Sequence, residues 1–164
     1  DAALLTFLET RRDAALGLDA AAISHLVVRS VEIKAGVVAQ DEREQGERRK
    51  LNFGHTFGHA IEKLTGIPHG EAVGIGMVIA ARLSVAQGIL PAADAARIER
   101  IVDAYGLPTH PPVGRKAMLA TLRKDKKRTG DRIHFVLLEG PGRARVTAMA
   151  FDELDRLAQS AGIA

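Results

Sequence analysis

Asn52-Phe53-Gly54-His55-Thr56-Phe57-Gly58-His59-Ala60-Ile61-Glu62-Lys63-Leu64-Thr65, followed by Gly66-Ile67-Pro68-His69-Gly70-Glu71-Ala72-Val73, decides the fold. From Asn52 to about Thr65 the pattern is helical, and Gly66 with Pro68 just beyond is a normal helix stop. A second helix is expected over 70–87, apolar through Ala72, Val73, Ile75, Met77, Val78 and Leu83. A helix that is apolar on most sides belongs inside the molecule. Two helices joined by a tight turn, the second central, point to a helical domain.

Outward from this pair the same period continues. Residues 3–16 and 19–38 read as helices, the second with Ile23, Leu26, Val27, Val31 and Val38 at helical spacing and Asp19 as its N-cap. Residues 41–50 are almost wholly polar, the pattern of a solvated loop or helix face. Pro91 opens a helix to about Tyr105, Pro111-Pro112 lies in a connection, and 115–127 is helical again. Near the end the period drops to that of strands, at Ile133–Leu138 and Ala144–Met149. Gly140-Pro141-Gly142 between them predicts a hairpin. A last helix spans 151–161. The expected class is mainly α, with a small β-hairpin near the C-terminus, in a single domain over 1–164.

Hydrophobic residues make up 46% of the 164 and charged residues 26%, as in a globular protein with a core. Aromatics are only 4%, which favours close-packed helices over a sheet sandwich. The net charge of +3 and short, interrupted basic clusters do not make a nucleic-acid surface. The sequence has no cysteine, which excludes disulfides and thiolate metal sites. No apolar run reaches the length of a membrane span and no signal peptide is visible, so the expected location is the cytoplasm.

Half of the six histidines fall in the opening stretch: His55, His59 and His69. On a helix His55 and His59 are four apart and share a face. Gly54 and Gly58, also four apart, leave an adjacent face bare for another backbone or a ligand. His69 lies past the helix stop, where the chain can fold back beside His55. Two imidazoles, a carboxylate and a water make an ordinary catalytic zinc site. The spacing permits such a site without requiring it, since histidines at this spacing also occur solvated or packed. No Glu follows His55, which argues against a His-Glu-x-x-His protease. Glu71 could supply a carboxylate, but acidic residues are favoured at a helix N-terminus for dipole reasons alone.

Several motifs follow one another in order: Glu32-Ile33-Lys34, Asp41-Glu42-Arg43-Glu44, Leu51 through Glu62, and His69-Gly70-Glu71-Ala72-Val73-Gly74-Ile75-Gly76-Met77. Gly106-Leu107-Pro108, Asp125-Lys126-Lys127 and Arg132 through Leu138 complete the succession. It resembles the C-terminal domain of the 3-dehydroquinate synthase family over nearly the whole chain. The resemblance implies an all-helical metal- and substrate-binding domain with a small hairpin, following an NAD-binding α/β domain. In that family NAD transiently oxidises 3-deoxy-D-arabino-heptulosonate 7-phosphate. Phosphate is eliminated, the ketone is reduced back, and ring opening with aldol closure gives 3-dehydroquinate for the shikimate pathway. The metal, Zn2+ or Co2+, polarises the reacting oxygens.

Carried over by motif, His55 and His69 are two metal ligands that also meet the substrate. His59 and Glu44 fall at proton-transfer positions. Lys34, Arg48, Asn52 and Lys126 fall at substrate-contacting positions, with Lys127 the alternative to Lys126. The resemblance also implies a homodimer in the full enzyme. The family's third ligand is a Glu in a Glu-x-x-Lys motif upstream of residue 1, and neither that motif nor an NAD-binding domain is among these 164 residues. This chain alone is therefore expected to have an incomplete metal site, no NAD site and little turnover. Two alternatives stay beside this reading: a related sugar-phosphate cyclase domain, and a non-catalytic helical metal-binding or interaction module.

Overall fold

A computed structural model describes residues 1–43, 46–126 and 132–164, without the side chains of Asp125 and Lys126. Among these residues the order is α1 (Ala2–Thr10), α2 (Arg12–Leu16), α3 (Ala20–Gln40), a 3₁₀ segment (Glu47–Asn52), α4 (His55–Thr65) and α5 (His69–Ala86). Then come α6 (Ala92–Ala104), α7 (Arg115–Lys126), strands β1 (Arg132–Gly140) and β2 (Arg143–Ala150), and α8 (Phe151–Ser160). The mainly helical class and the C-terminal hairpin are as the sequence implies. None of the helices is long and apolar enough to cross a membrane.

The central helix is α5. Its Ala72, Ile75, Val78, Ile79, Ala81 and Leu83 are buried, and α4, α6, β1 and α8 all pack on it. Ser84 is the one polar side chain buried on α5, and it is satisfied twice. Its hydroxyl donates to the Ala80 carbonyl at 2.7 Å and accepts the Leu138 N–H at 2.9 Å. That second bond ties β1 to α5 where the hairpin ladder becomes irregular, between Leu138 and Gly140. A bulge leaves a ladder N–H without its strand partner, and Ser84 takes up the one beside it.

The hairpin pairs antiparallel, Ile133 opposite Met149 and Leu137 opposite Arg145. Gly142, at φ +76°, supplies the left-handed residue of its turn. Phe151, Leu154 and Ala158 of α8 are buried at helical spacing against the same core.

Two boundaries differ from the sequence reading. The first helix breaks at Arg11, where Arg12 Nε donates to the Ala104 carbonyl at 2.6 Å and draws the chain onto α6. The helix expected from Asn52 starts at His55 instead. Glu47–Asn52 winds as 3₁₀, with Asp41 Oδ2 accepting the N–H groups of Gly46 and Arg48, and Gly54 at φ +80° redirects the chain into α4.

Asp19 does cap α3, accepting the Ala22 N–H at 2.9 Å. That helix is lightly held, however. Val27, Val28 and Val31 remain 50–61% exposed, and Ile33 and Val37 line an apolar cavity of about 840 Å³ shared with α1, α6 and the hairpin turn. On its other side α1 is pinned to α6 by polar contacts: Arg97 grips Glu9 at 2.6 and 2.7 Å, and the Tyr105 hydroxyl donates to the Leu8 carbonyl.

Candidate metal centre

The α4–α5 corner gathers the candidate donor residues. Gly66, left-handed at φ +72°, ends α4, and its N–H bonds the Glu62 carbonyl at 2.8 Å. Pro68 then opens α5 with no N–H to leave unpaired. The reversal sets His69, the first residue of α5, opposite the exposed face of α4. Close approach of the two helices is possible because glycine lines the crossing. A Cβ on Gly58 would lie 3.0 Å from Val73 Cα, and one on Gly76 would overlap the Gly54 carbonyl. The bare face expected from Gly54 and Gly58 is thus occupied by the backbone of α5.

The reversal brings three imidazoles together. Ring centroids are 5.4 Å apart for His55 and His59, 5.5 Å for His55 and His69, and 5.7 Å for His59 and His69. One ring nitrogen from each lies within 4.8 Å of the other two. His55 is half-buried, and the other two are exposed. Imidazole nitrogen is a donor that first-row divalent ions such as zinc and cobalt accept. The donor set therefore fits such an ion.

His55 and His69 each have Nδ1 engaged. His55 Nδ1 is 3.1 Å from the Phe53 carbonyl oxygen, which can only accept, so that contact puts the proton on Nδ1 and the lone pair on Nε2. His69 Nδ1 is 3.0 Å from Glu62 Oε2. This carboxylate escapes a reading of the sequence alone. Glu71, weighed there as a possible carboxylate, lies in the first turn of α5 and makes no hydrogen bond or ion pair among the described residues.

The other expected residues are placed as follows. Asn52 ends the 3₁₀ segment, three residues before His55. Arg48 lies in the same segment, and its guanidinium donates to the Glu42 carbonyl at 2.9 Å. Lys34 is exposed on α3, the helix against which the 3₁₀ segment packs. Lys126 is the last residue of α7, and its side chain lies outside the description. Glu44 and Lys127 fall outside the described residues. No histidine lines the large apolar cavity, so cavity and donor cluster are separate features.

A dinucleotide needs a strand, a glycine loop and a helix N-terminus in succession. The strands among the described residues form an antiparallel hairpin leading into α8 through Ala150, with no such loop. Among the described residues that succession does not occur.

Comparison with known proteins places this geometry in context. Residues 1–128 match the model of the family described as 3-dehydroquinate synthase C-terminal. The chain is 46% identical over 154 residues to a 3-dehydroquinate synthase of Xylella fastidiosa strain M12, covering 88% of this chain and 42% of the relative. The enzyme of strain 9a5c is 44% identical over 158 residues, with 90% and 40% covered. The chain thus spans about two fifths of the length of these relatives. Among solved structures, 2-epi-5-epi-valiolone synthase from Streptomyces hygroscopicus subsp. jinggangensis 5008, with NAD+ and Zn2+ bound, superposes with a TM-score of 0.79 at 25% identity. That match covers 99% of this chain and 47% of that one. 2-Deoxy-scyllo-inosose synthase, complexed with carbaglucose-6-phosphate, NAD+ and Co2+, gives 0.66 at 25% identity, covering 78% and 39%.

Proposed function

The chain belongs to the 3-dehydroquinate synthase C-terminal family, and on that premise we propose that it is the metal- and substrate-binding domain of a cytoplasmic 3-dehydroquinate synthase. The reaction is conversion of 3-deoxy-D-arabino-heptulosonate 7-phosphate to 3-dehydroquinate and phosphate, a carbon–oxygen lyase step followed by cyclisation. The observation that carries this reading is the convergence of His55, His59 and His69 at the α4–α5 corner. The sequence identity of 46% to the dehydroquinate enzyme, against 25% to the solved cyclases, favours the heptulosonate phosphate over their substrates.

His55 and His69 would hold Zn2+ or Co2+, each through the nitrogen its hydrogen bond leaves unprotonated. When bound, the ion supplies Lewis-acid polarisation to a substrate hydroxyl or ketone oxygen. His59, on the same face of α4, would move protons at the reacting carbon and oxygen, with Glu44 as a second proton carrier. The substrate carries a carboxylate and a phosphate, the anions that Lys and Arg bind through charged hydrogen bonds. Lys34, Arg48 and Lys126 would hold them, and Asn52 would orient a hydroxyl. NAD would be bound by a preceding domain outside residues 1–164, as would the third metal ligand, and the enzyme would act as a homodimer.

The test supplies this chain with Zn2+ or Co2+, NAD and the nucleotide-binding domain of a relative such as the Xylella fastidiosa enzyme, then follows phosphate release. Release from the heptulosonate phosphate, with none from the chain alone, is the expected result. Release from a hexose phosphate or a different heptose phosphate instead would assign it to another cyclase. Association of the two domains without turnover on any of these would favour a non-catalytic module.

A further inference from the structure

We infer that Glu62 is a positioning residue that fixes the ring of His69 for metal binding. The inference rests on the metal reading above and adds to it a residue with no assigned role. On α4, His55, His59 and Glu62 fall at successive four- and three-residue steps, so one helix face carries two imidazoles and a carboxylate. His69 meets that face from α5, and Glu62 Oε2 lies 3.0 Å from its Nδ1.

A carboxylate accepts and cannot donate, so a neutral His69 in this contact keeps its proton on Nδ1 and its lone pair on Nε2. The Phe53 carbonyl does the same for His55 across the cluster. Two rings are thereby set in the same tautomer, each by an acceptor on its outer nitrogen. Such outer partners fix the orientation of ligating imidazoles and raise their basicity. The His69 partner is the one of the two that a side-chain substitution can remove.

An ion pair serving only the fold would also place Glu62 beside His69, since the side chains are 39% and 53% exposed. The two roles differ in what they move. A fold-only contact changes the melting temperature, whereas a positioning contact changes the tautomer and the metal affinity. The experiment compares the full chain with Glu62→Ala and Glu62→Gln. Long-range 1H–15N correlation of the metal-free proteins, at mildly alkaline pH where imidazole is neutral, reads the His69 tautomer. Co2+ titration followed by its d–d absorption reads affinity.

In the wild-type chain His69 should be protonated on Nδ1, and in Glu62→Ala it should shift toward Nε2. The Co2+ dissociation constant should rise about 10- to 100-fold in Glu62→Ala. Glu62→Gln, whose amide oxygen still accepts but carries no charge, should fall between the two. An unchanged tautomer or an unchanged Co2+ affinity in Glu62→Ala overturns the inference. Because the third ligand of the metal reading lies outside residues 1–164, the Co2+ titration is run with the nucleotide-binding domain of a relative added. No uptake there would sink the metal reading itself, whereas uptake with unchanged affinity in Glu62→Ala would overturn the role of Glu62 alone.

Discussion

Gly76 of α5 lies directly against the carbonyl of Gly54, so closely that a Cβ on Gly76 would overlap it. This backbone contact sets the distance between the helix that carries His55 and His59 and the helix that carries His69. The convergence of the three imidazoles therefore depends on a glycine seven residues away from the nearest of them in sequence.

Gly76→Ala should wedge α5 away from α4. Overpacking of this kind costs about 1–3 kcal/mol, read as a lower midpoint in urea denaturation. The same displacement should weaken Co2+ binding, although Gly76 contributes no donor atom. Wild-type stability in Gly76→Ala would show that the crossing can relax without strain.

Ser84→Ala should be costly for its size. The substitution removes the acceptor of the buried Leu138 N–H and leaves that donor unpaired beside the hairpin irregularity. An unsatisfied buried donor costs about 1–3 kcal/mol. Urea denaturation should show this loss, with amide exchange at Leu138 accelerated more than elsewhere in β1. A loss well under 1 kcal/mol would mean that water reaches the strand.

The fold was legible because its signals are local. Apolar periodicity marks α5, Gly66 with Pro68 marks the corner, and Gly140-Pro141-Gly142 marks the hairpin turn. The proximity of His69 to His55 also follows from a helix, a stop and a restart. Glu62 was not legible, because its partner is chosen by the angle at which α5 leaves the corner. The sequence offered Glu71 as a carboxylate, and even there its place at a helix N-terminus was the better explanation of it. The break at Arg11 was hidden for a related reason, since it goes with the bond of Arg12 to a carbonyl 92 residues further on, at Ala104. Val27 and Val31 follow the helical period of α3 yet stay exposed: period identifies a helix face but cannot say what covers it.

The grip of Arg97 on Glu9 should give the α1–α6 contact a pH dependence. The guanidinium, hydrogen-bonded to the Glu9 carboxylate, holds that carboxyl below its ordinary value. A depressed folded value means that the unfolded chain binds the proton more readily. The contribution is then present above about pH 4.3, the unfolded glutamate value, and lost as pH falls through the folded one. Glu9→Gln should lower the melting temperature slightly at pH 7, since the pair is exposed to solvent. The difference should vanish in strongly acidic buffer. A difference that persists there would assign the contact to packing of the side chain.

The three histidines should not be interchangeable, even though their rings form a nearly even triangle. His55 and His69 each present an imidazole with Nδ1 held by an acceptor, the arrangement of a fixed ligand. His55→Ala or His69→Ala should abolish Co2+ uptake by the chain and any phosphate release restored by an added nucleotide-binding domain. His59→Ala should keep the metal and lower the rate of phosphate release about 100- to 10,000-fold, the range for loss of a general acid–base group. Metal analysis of the three purified variants, set beside their turnover, separates the roles. Loss of the metal from His59→Ala would make the centre a three-imidazole site, and the proton carrier would then have to be sought elsewhere.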